Sequence, residues 1–153
     1  MMNETCCVTG HRHIPSMRVR EVKDRLVGEV GGAIGDGYTR FVCGFAEGID
    51  LLFADTVVGW KTWQPKLRLV AALPYRDRLQ SRNPMFRALL AQCDEVYVIN
   101  DQRTRECYFA RNRWMVNESG RVIAVCDGRS GGGTVYTLRY AKEQKKEIQM
   151  VAL

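Results

Sequence analysis

The feature that most constrains the fold is a repeated alternation between short apolar runs and longer amphipathic stretches. The apolar runs are hydrophobic almost throughout rather than at alternate positions, which is typical of strands buried on both faces of a parallel sheet. They lie at residues 5–8, 41–43, 67–73, 95–99 and 121–125, with a weaker sixth run at 147–151. We therefore expect a mainly parallel sheet of five or six strands.

The stretches between these runs have the spacing of helices. In the first of them, Val22, Leu26 and Val30 recur every four residues and so share one face. Helices are predicted at residues 17–34, 48–60, 84–93, 107–119 and 133–146. Strands and helices that alternate in this way form βαβ units with right-handed crossovers. We expect one α/β domain over residues 1–153, with a three-layer, Rossmann-like, doubly wound fold.

The composition agrees with a globular domain, because 46% of the 153 residues are hydrophobic and 26% are charged. No apolar run reaches the roughly 18–20 residues needed to cross a membrane, and the N-terminus has no signal-peptide pattern. A cytoplasmic protein without membrane contact is expected. The six cysteines include no C-x-x-C pair, so buried reduced thiols are favoured over disulfides or a metal site.

Arginine is concentrated in one part of the chain. The formal net charge is +6, and residues 76–113 contain eight Arg and no Lys against five acidic residues. The planar fork of Arg suits phosphate and carboxylate groups better than the point charge of Lys. The same residues could form a solvated basic face. Residues 74–83 are the longest polar connection and a candidate mobile segment.

Ligands of open α/β sheets bind at the carboxyl ends of the strands, so the residues after each strand are the first candidates for a site. After the first strand, "TGHR" places Thr9 and Gly10 in a turn that allows close backbone approach. His11 and Arg12 follow at the edge of the sheet. A turn with two polar capping residues would explain the same segment.

After the second strand, "GFAEGID" places Gly44 and Gly48 on either side of Glu47. A carboxylate at this position can accept hydrogen bonds from ribose hydroxyls, or it can favour the positive end of the next helix. Asp50 is the better candidate for the second, structural role, because it can cap the first amides of that helix.

After the fourth strand, Arg111 and Arg113 lie on a predicted helix with Asn112 between them. Residues two apart do not share a helix face, so at most one of the two arginines is expected at the crevice. We favour Arg111, because it lies one turn from Tyr108 and Met115. In the alternative interpretation, the other Arg pairs with a surface acid.

After the fifth strand, Gly131, Gly132 and Gly133 precede Thr134, which begins a helix. Glycines expose backbone N–H groups, and the positive end of a helix favours an anion. A flexible linker is the competing interpretation, but a linker here would interrupt the last crossover of the sheet. We therefore favour an anion site.

Five segments, in this order, resemble the YpsA-like group of the SLOG superfamily, which also includes the Rossmann-like domains of DNA-processing protein A and the LOG phosphoribohydrolases. They are "CCVTGHR", "GFAEGIDLLFAD", "CDEVYVI", "RNRWMVNESGRVIAVCDG" and "GGGTVYTLRYA". The resemblance implies a nucleotide or nucleotide-derived ligand, such as an ADP-ribose-like molecule, and no cofactor. By motif position, the binding residues would be Gly10, Arg12, Gly44, Glu47, Arg111, Gly132 and Thr134.

The resemblance also implies a bacterial or phage origin and self-association. Members of the YpsA-like group have been linked to nucleotide-derived signalling and, in some bacteria, to cell division and stress. Trp60, Trp63 and Trp114 are candidate interface residues, although tryptophan more often packs in a core.

The sequence favours binding, or sensing, without catalysis. LOG hydrolases carry a motif similar to G-G-x-G-T-x-x-E, whose final Glu serves the glycosidic chemistry. This chain has Thr137 at the position of that Glu. A hydroxyl cannot replace a carboxylate in that role near neutral pH. One alternative is a nucleotide N-glycosidic phosphoribohydrolase with Glu47 as its catalytic group. Another is a single-stranded DNA-binding module that uses residues 76–113, for which the sequence shows no aromatic stacking platform.

Overall fold

The computed structural model describes residues 3–128 and 132–153. Within these residues it has six strands, five α-helices and two short 3₁₀ helices. The strands are β1 (Thr5–Gly10), β2 (Arg40–Cys43), β3 (Arg68–Leu73), β4 (Glu95–Val98), β5 (Arg121–Cys126) and β6 (Glu147–Ala152). The α-helices are α1 (Val19–Gly35), α2 (Ile49–Trp63), α3 (Pro84–Leu90), α4 (Cys107–Glu118) and α5 (Gly133–Glu143). The 3₁₀ helices are Ser16–Arg18 and Arg76–Gln80.

All neighbouring strands are parallel, in the order β4-β3-β2-β1-β5-β6. The chain adds β2, β3 and β4 on one side of β1, and then places β5 and β6 on the other side. The strand order therefore reverses between β1 and β5, where Val8 pairs with Ile123. A crevice outside the strand ends at such a reversal is the usual ligand site of an open α/β sheet. The predicted fold class is confirmed.

Alternate residues of β1 explain why the strands are apolar throughout. Cys6 and Val8 contribute to the larger core, together with α1, α2 and α3. Cys7 points to the opposite side and joins a smaller core with α4 and α5. Both faces of the sheet are therefore covered at its centre, where a strand cannot carry alternating polar residues, whereas the edge strands β4 and β6 are partly exposed.

The predicted elements agree with the structure to within three residues at each end. The largest difference is in residues 74–83, where the structure has the 3₁₀ helix Arg76–Gln80 instead of an irregular connection. Asn83 then begins α3, since its side-chain oxygen accepts hydrogen bonds from the amides of Met85 (2.9 Å) and Phe86 (3.1 Å). Pro84 occupies the first turn of α3, as predicted.

The three tryptophans have different surroundings. The indole N–H of Trp60 donates to the carbonyl oxygen of Val27 at 3.2 Å, and the ring of Trp114 lies 4.9 Å from that of Tyr97. Trp63 is 82% exposed. Self-association through this side chain stays a prediction. None of the helices in the described part of the chain has the length and hydrophobicity of a membrane span.

All six cysteines are free thiols, and four of them are buried. Burial raises the pKa of Cys7 to about 12, because removal from water penalises the thiolate. Among residues 3–128 and 132–153, no group of His, Cys, Asp and Glu side chains is arranged to hold a metal ion.

Candidate functional site

A cavity of about 340 Å³ lies beyond the carboxyl end of β1, next to the reversal of strand order. Its walls come from the segment after β1, from the start of α2 and from one face of α4, and the first turn of α5 closes it. The predicted site residues that line it are Thr9, Gly10, His11, Arg12, Arg111, Asn112, Gly133 and Thr134. Residues from four separate sequence segments therefore meet in one crevice.

Two glycines allow the segment after β1 to pack directly on the start of α2. A Cβ atom at Gly10 would lie 2.5 Å from side-chain carbons of Ile49. Gly48 has φ +79°, and a Cβ atom there would collide with the carbonyl oxygen of Arg12 and lie 2.7 Å from that of His11. The amide of Ile49 donates to the same His11 carbonyl at 3.3 Å. This contact fixes the path of the backbone around the cavity.

We expect Gly48→Ala to lower the free energy of unfolding by about 2 kcal/mol or more, because positive φ and a backbone collision both oppose the added methyl group. Gly59→Ala is the matched control, since Gly59 lies within α2 and a Cβ atom there has no neighbour within 4 Å in the described part of the chain. That change should stabilise the helix by about 0.5–1 kcal/mol. Urea unfolding followed by tryptophan fluorescence measures both. Equal free energies of unfolding for the two variants would contradict the conclusion that the backbone at position 48 requires glycine.

Arg111 is the main structural link at the floor of the crevice. It is 4% exposed, and its Nη1 donates to the carbonyl oxygens of Gly44 (2.7 Å) and Ala72 (3.2 Å). Its Nε donates to the side-chain oxygen of Asn112 at 2.8 Å. A Cβ atom at Gly44 would collide with the guanidinium group, which explains the glycine. Arg111 thus joins the ends of β2 and β3 to α4, while it still borders the cavity.

Arg113 faces away from this floor and donates to the hydroxyl of Tyr136 at 2.6 Å. This partner is a phenol rather than the surface acid of the alternative interpretation, because α5 packs beside α4 and presents Tyr136 there. The other arginines of residues 76–113 are also divided. Arg76 pairs with Asp101 at 2.8 Å, whereas Arg82, Arg87, Arg103 and Arg105 are exposed.

Asp50 is a cavity residue that sequence reasoning assigned only to the start of a helix. It is 7% exposed, and its carboxylate accepts a hydrogen bond from the amide of Ala46 at 3.1 Å. Burial raises the pKa of Asp50, and the positive charge of Arg111 and the Ala46 amide oppose that rise. The crevice therefore contains a buried carboxyl group beside its buried guanidinium group.

Aromatic rings also gather at this site, contrary to the expectation from the sequence. The guanidinium carbon of Arg12 lies 4.7 Å from the centre of the Tyr108 ring. Tyr75 packs edge-on against Tyr108 with ring centres 6.2 Å apart, and Phe109 lies 4.4 Å from Tyr136. Tyr108 and Phe109 are adjacent in the sequence and line the cavity, but their ring partners come from other segments, so the pairs could not be predicted locally.

The first turn of α5 reaches the cavity through Gly133 and the buried Thr134. Gly132 precedes them with φ +94°, which only glycine adopts readily. A Cβ atom at Gly133 would have the Asn112 side-chain nitrogen, 3.9 Å away, as its neighbour. The predicted site residue Gly131 lies outside the described residues.

Two further side chains of the sequence analysis, His11 and Thr137, have partners in the fold. The Nε2 atom of His11 is 3.1 Å from a carboxylate oxygen of Asp127, which follows β5. Thr137, at the position of the LOG glutamate, is 1% exposed and donates to the carbonyl oxygen of Gly133 at 2.8 Å. The hydroxyl of Thr137 is therefore used in a hydrogen bond within α5, and this position offers no carboxylate for catalysis.

A second cavity, of about 240 Å³, adjoins the first. Within the described part of the chain, Glu47 and Gly44 line this second cavity rather than the first. Glu47 is exposed to solvent. The crevice therefore has two compartments, and Arg12, Ala46, Tyr108 and Arg111 border both.

Fold and site together define a Rossmann-like protein with a positively charged crevice at the point where the strand order of its sheet reverses. The chain belongs to the YspA SLOG family, whose sequence model matches residues 6–153. The resemblance seen in the sequence is thereby confirmed. No curated protein matches the chain significantly.

Solved structures show the same fold. DNA processing protein A from Helicobacter pylori, which binds single-stranded DNA, superposes with a TM-score of 0.65 and 18% identity over 97% of this chain. This chain spans 65% of that protein's length. The protein TM1055 superposes with a TM-score of 0.62 and 16% identity, over 95% of this chain and 72% of its own length.

Proposed function

We propose that this protein binds a nucleotide or a nucleotide-derived ligand, such as an ADP-ribose-like molecule, and senses it without catalysing a reaction. The observation that carries the proposal is the convergence of Arg12, Asn112 and the first turn of α5 on one cavity at the strand reversal. A helix N-terminus and a guanidinium group are both suited to a phosphate. Family membership supports the same ligand class.

The chemistry of the lining supports a ligand with both polar and aromatic parts. The Arg12–Tyr108 stack offers a flat surface for a base, and Asn112 can donate and accept hydrogen bonds. A cavity of about 340 Å³ is near the lower end of the range for small-molecule sites, about 300–1,000 Å³. Binding without catalysis is supported by Thr137, which takes the place of a catalytic carboxylate.

The test is calorimetric titration of the purified protein with AMP and with ADP-ribose, followed by mass spectrometry of the mixture. We expect saturable binding of at least one compound and no release of free adenine. A melting temperature that rises with ligand concentration should accompany it, because the ligand binds the native state. Absence of binding to both compounds would contradict the proposal. Release of adenine that disappears in Glu47→Gln would favour the phosphoribohydrolase instead.

Single-stranded DNA is the second candidate ligand, favoured by the paired aromatic rings around the crevice and by the activity of the Helicobacter pylori neighbour. Bases stack on such rings, and a basic groove attracts the backbone. Binding of this kind should weaken steeply with salt, with a slope of about −0.7 per phosphate contacted. A flat salt response would leave the small-molecule proposal in place.

A further inference from the structure

The second cavity is the more positively charged of the two compartments. Its described lining carries three guanidinium groups, from Arg12, Arg78 and Arg111, against the single carboxylate of Glu47. In the first cavity, Arg12 and Arg111 face the buried carboxyl group of Asp50. A concave site with an excess of arginine attracts an anion, because field lines concentrate within it.

Arg78 is held in place before any ligand arrives. Its guanidinium carbon lies 5.0 Å from the centre of the Phe86 ring, and its Nη2 lies 3.5 Å from the carbonyl oxygen of Phe45. Phe86 is itself buried and packs edge-on against Phe45, with ring centres 5.4 Å apart. A guanidinium group restrained in this way loses little side-chain entropy when it binds an anion.

The stack of Arg12 on Tyr108 forms part of the boundary between the compartments, together with Ala46 and Arg111. A ligand that occupies both compartments must place the unit that connects its two ends across this boundary. A nucleoside fits that position, because its base can lie against the ring or the guanidinium plane.

We propose that the second cavity binds a second phosphate group of the ligand, so that the ligand is a phosphodiester-linked nucleotide pair. Arg78 is the specificity-determining residue for that second phosphate. The inference rests on the proposed function, which places the first phosphate at the N-terminus of α5. The same chemistry is present in a free dinucleotide and in a DNA strand.

The test compares AMP with the 5′-phosphorylated dinucleotide pApA by calorimetry, in the wild type and in Arg78→Met. We expect pApA to bind at least about tenfold more tightly than AMP. Arg78→Met should remove most of that advantage and leave AMP affinity within about twofold, because Met keeps the apolar stem but loses the charged donors. Arg78→Lys should fall between the two, since it keeps the charge without the fork.

Arg76→Met is the matched control. Arg76 lies on the same 3₁₀ helix, pairs with Asp101 and is well exposed, so its loss should leave both affinities unchanged. Thermal melting shows that each variant is folded before it is titrated. Titration with a single-stranded oligodeoxyadenylate distinguishes a DNA strand from a free dinucleotide as the ligand. Tighter binding of the oligonucleotide than of pApA indicates a strand, and weaker binding indicates a free dinucleotide.

The outcomes separate this inference from the proposed function. If AMP binds the wild type and pApA binds no more tightly, the second phosphate site is refuted and the nucleotide site stands. Equal losses of AMP and pApA affinity in Arg78→Met would also refute it. If neither compound binds, both proposals fail.

Discussion

Replacing Arg111 with methionine is expected to lower the free energy of unfolding by about 3–5 kcal/mol. The side chain is almost fully buried and donates to the carbonyl oxygens of Gly44 and Ala72. Methionine fills a similar volume but leaves both buried carbonyl groups without this donor, at about 1–3 kcal/mol for each unsatisfied group. It also removes the positive charge that stabilises the Asp50 carboxylate. Urea unfolding at neutral pH measures the loss.

Arg113→Met is the control for this variant, because it removes the same charge two residues later on α4. Arg113 is half-buried and donates to a phenol at the side of the helix. Its loss should cost about 1 kcal/mol, as for a typical single hydrogen bond. A loss below about 1 kcal/mol in Arg111→Met would show that the two carbonyl bonds do not hold the strand ends together.

Replacing Gly133 with aspartate is expected to weaken nucleotide binding by at least about a hundredfold without unfolding the protein. Gly133 lines the cavity at the first turn of α5, so the new carboxylate would lie where the proposal places a phosphate. Two unit charges about 4 Å apart repel each other by about 4 kcal/mol at an effective dielectric constant of about 20. An acidic residue at a helix N-terminus is favourable for the helix, so the melting temperature should be kept.

Gly133→Ala separates charge from bulk, because it adds the Cβ atom without the carboxylate. Among residues 3–128 and 132–153, only the Asn112 side-chain nitrogen, at 3.9 Å, lies near an added Cβ atom, so the Gly133→Ala variant should bind nucleotide within a few-fold of the wild type. Calorimetric titration with the compound that binds the wild type measures both variants. Unchanged affinity in Gly133→Asp would show that the phosphate of the ligand does not bind at the N-terminus of α5.

Much of the architecture was predictable because burial leaves a local record in the sequence. The apolar run at 121–125 and the stripe of Val22, Leu26 and Val30 each report how one element is covered, and both were placed correctly. Gly10 predicted close backbone approach, and Gly10, Gly44 and Gly48 are each crowded by a neighbouring element in the fold.

The partners of the polar side chains were not predictable in the same way. Arg111 was expected at the crevice, but its bonds to Gly44 and Ala72 join residues 67 and 39 positions away in the chain. The rings of Tyr75 and Tyr108 meet only because β3 and α4 lie on the same edge of the domain. Nothing in the sequence near Arg78 shows that Phe86 will restrain it.

The sequence by itself determined the elements, the parallel sheet and the family, because hydrophobic period and turn residues act over a few positions. Only the tertiary structure decided which strand ends became neighbours, and therefore that Arg111 would clamp β2 to β3 and that Asp50 would line the cavity. It also decided that the crevice has two compartments. These hydrogen bonds and charge pairs join segments that are remote in the sequence, and those segments come close together only when the strands have assembled in their final order.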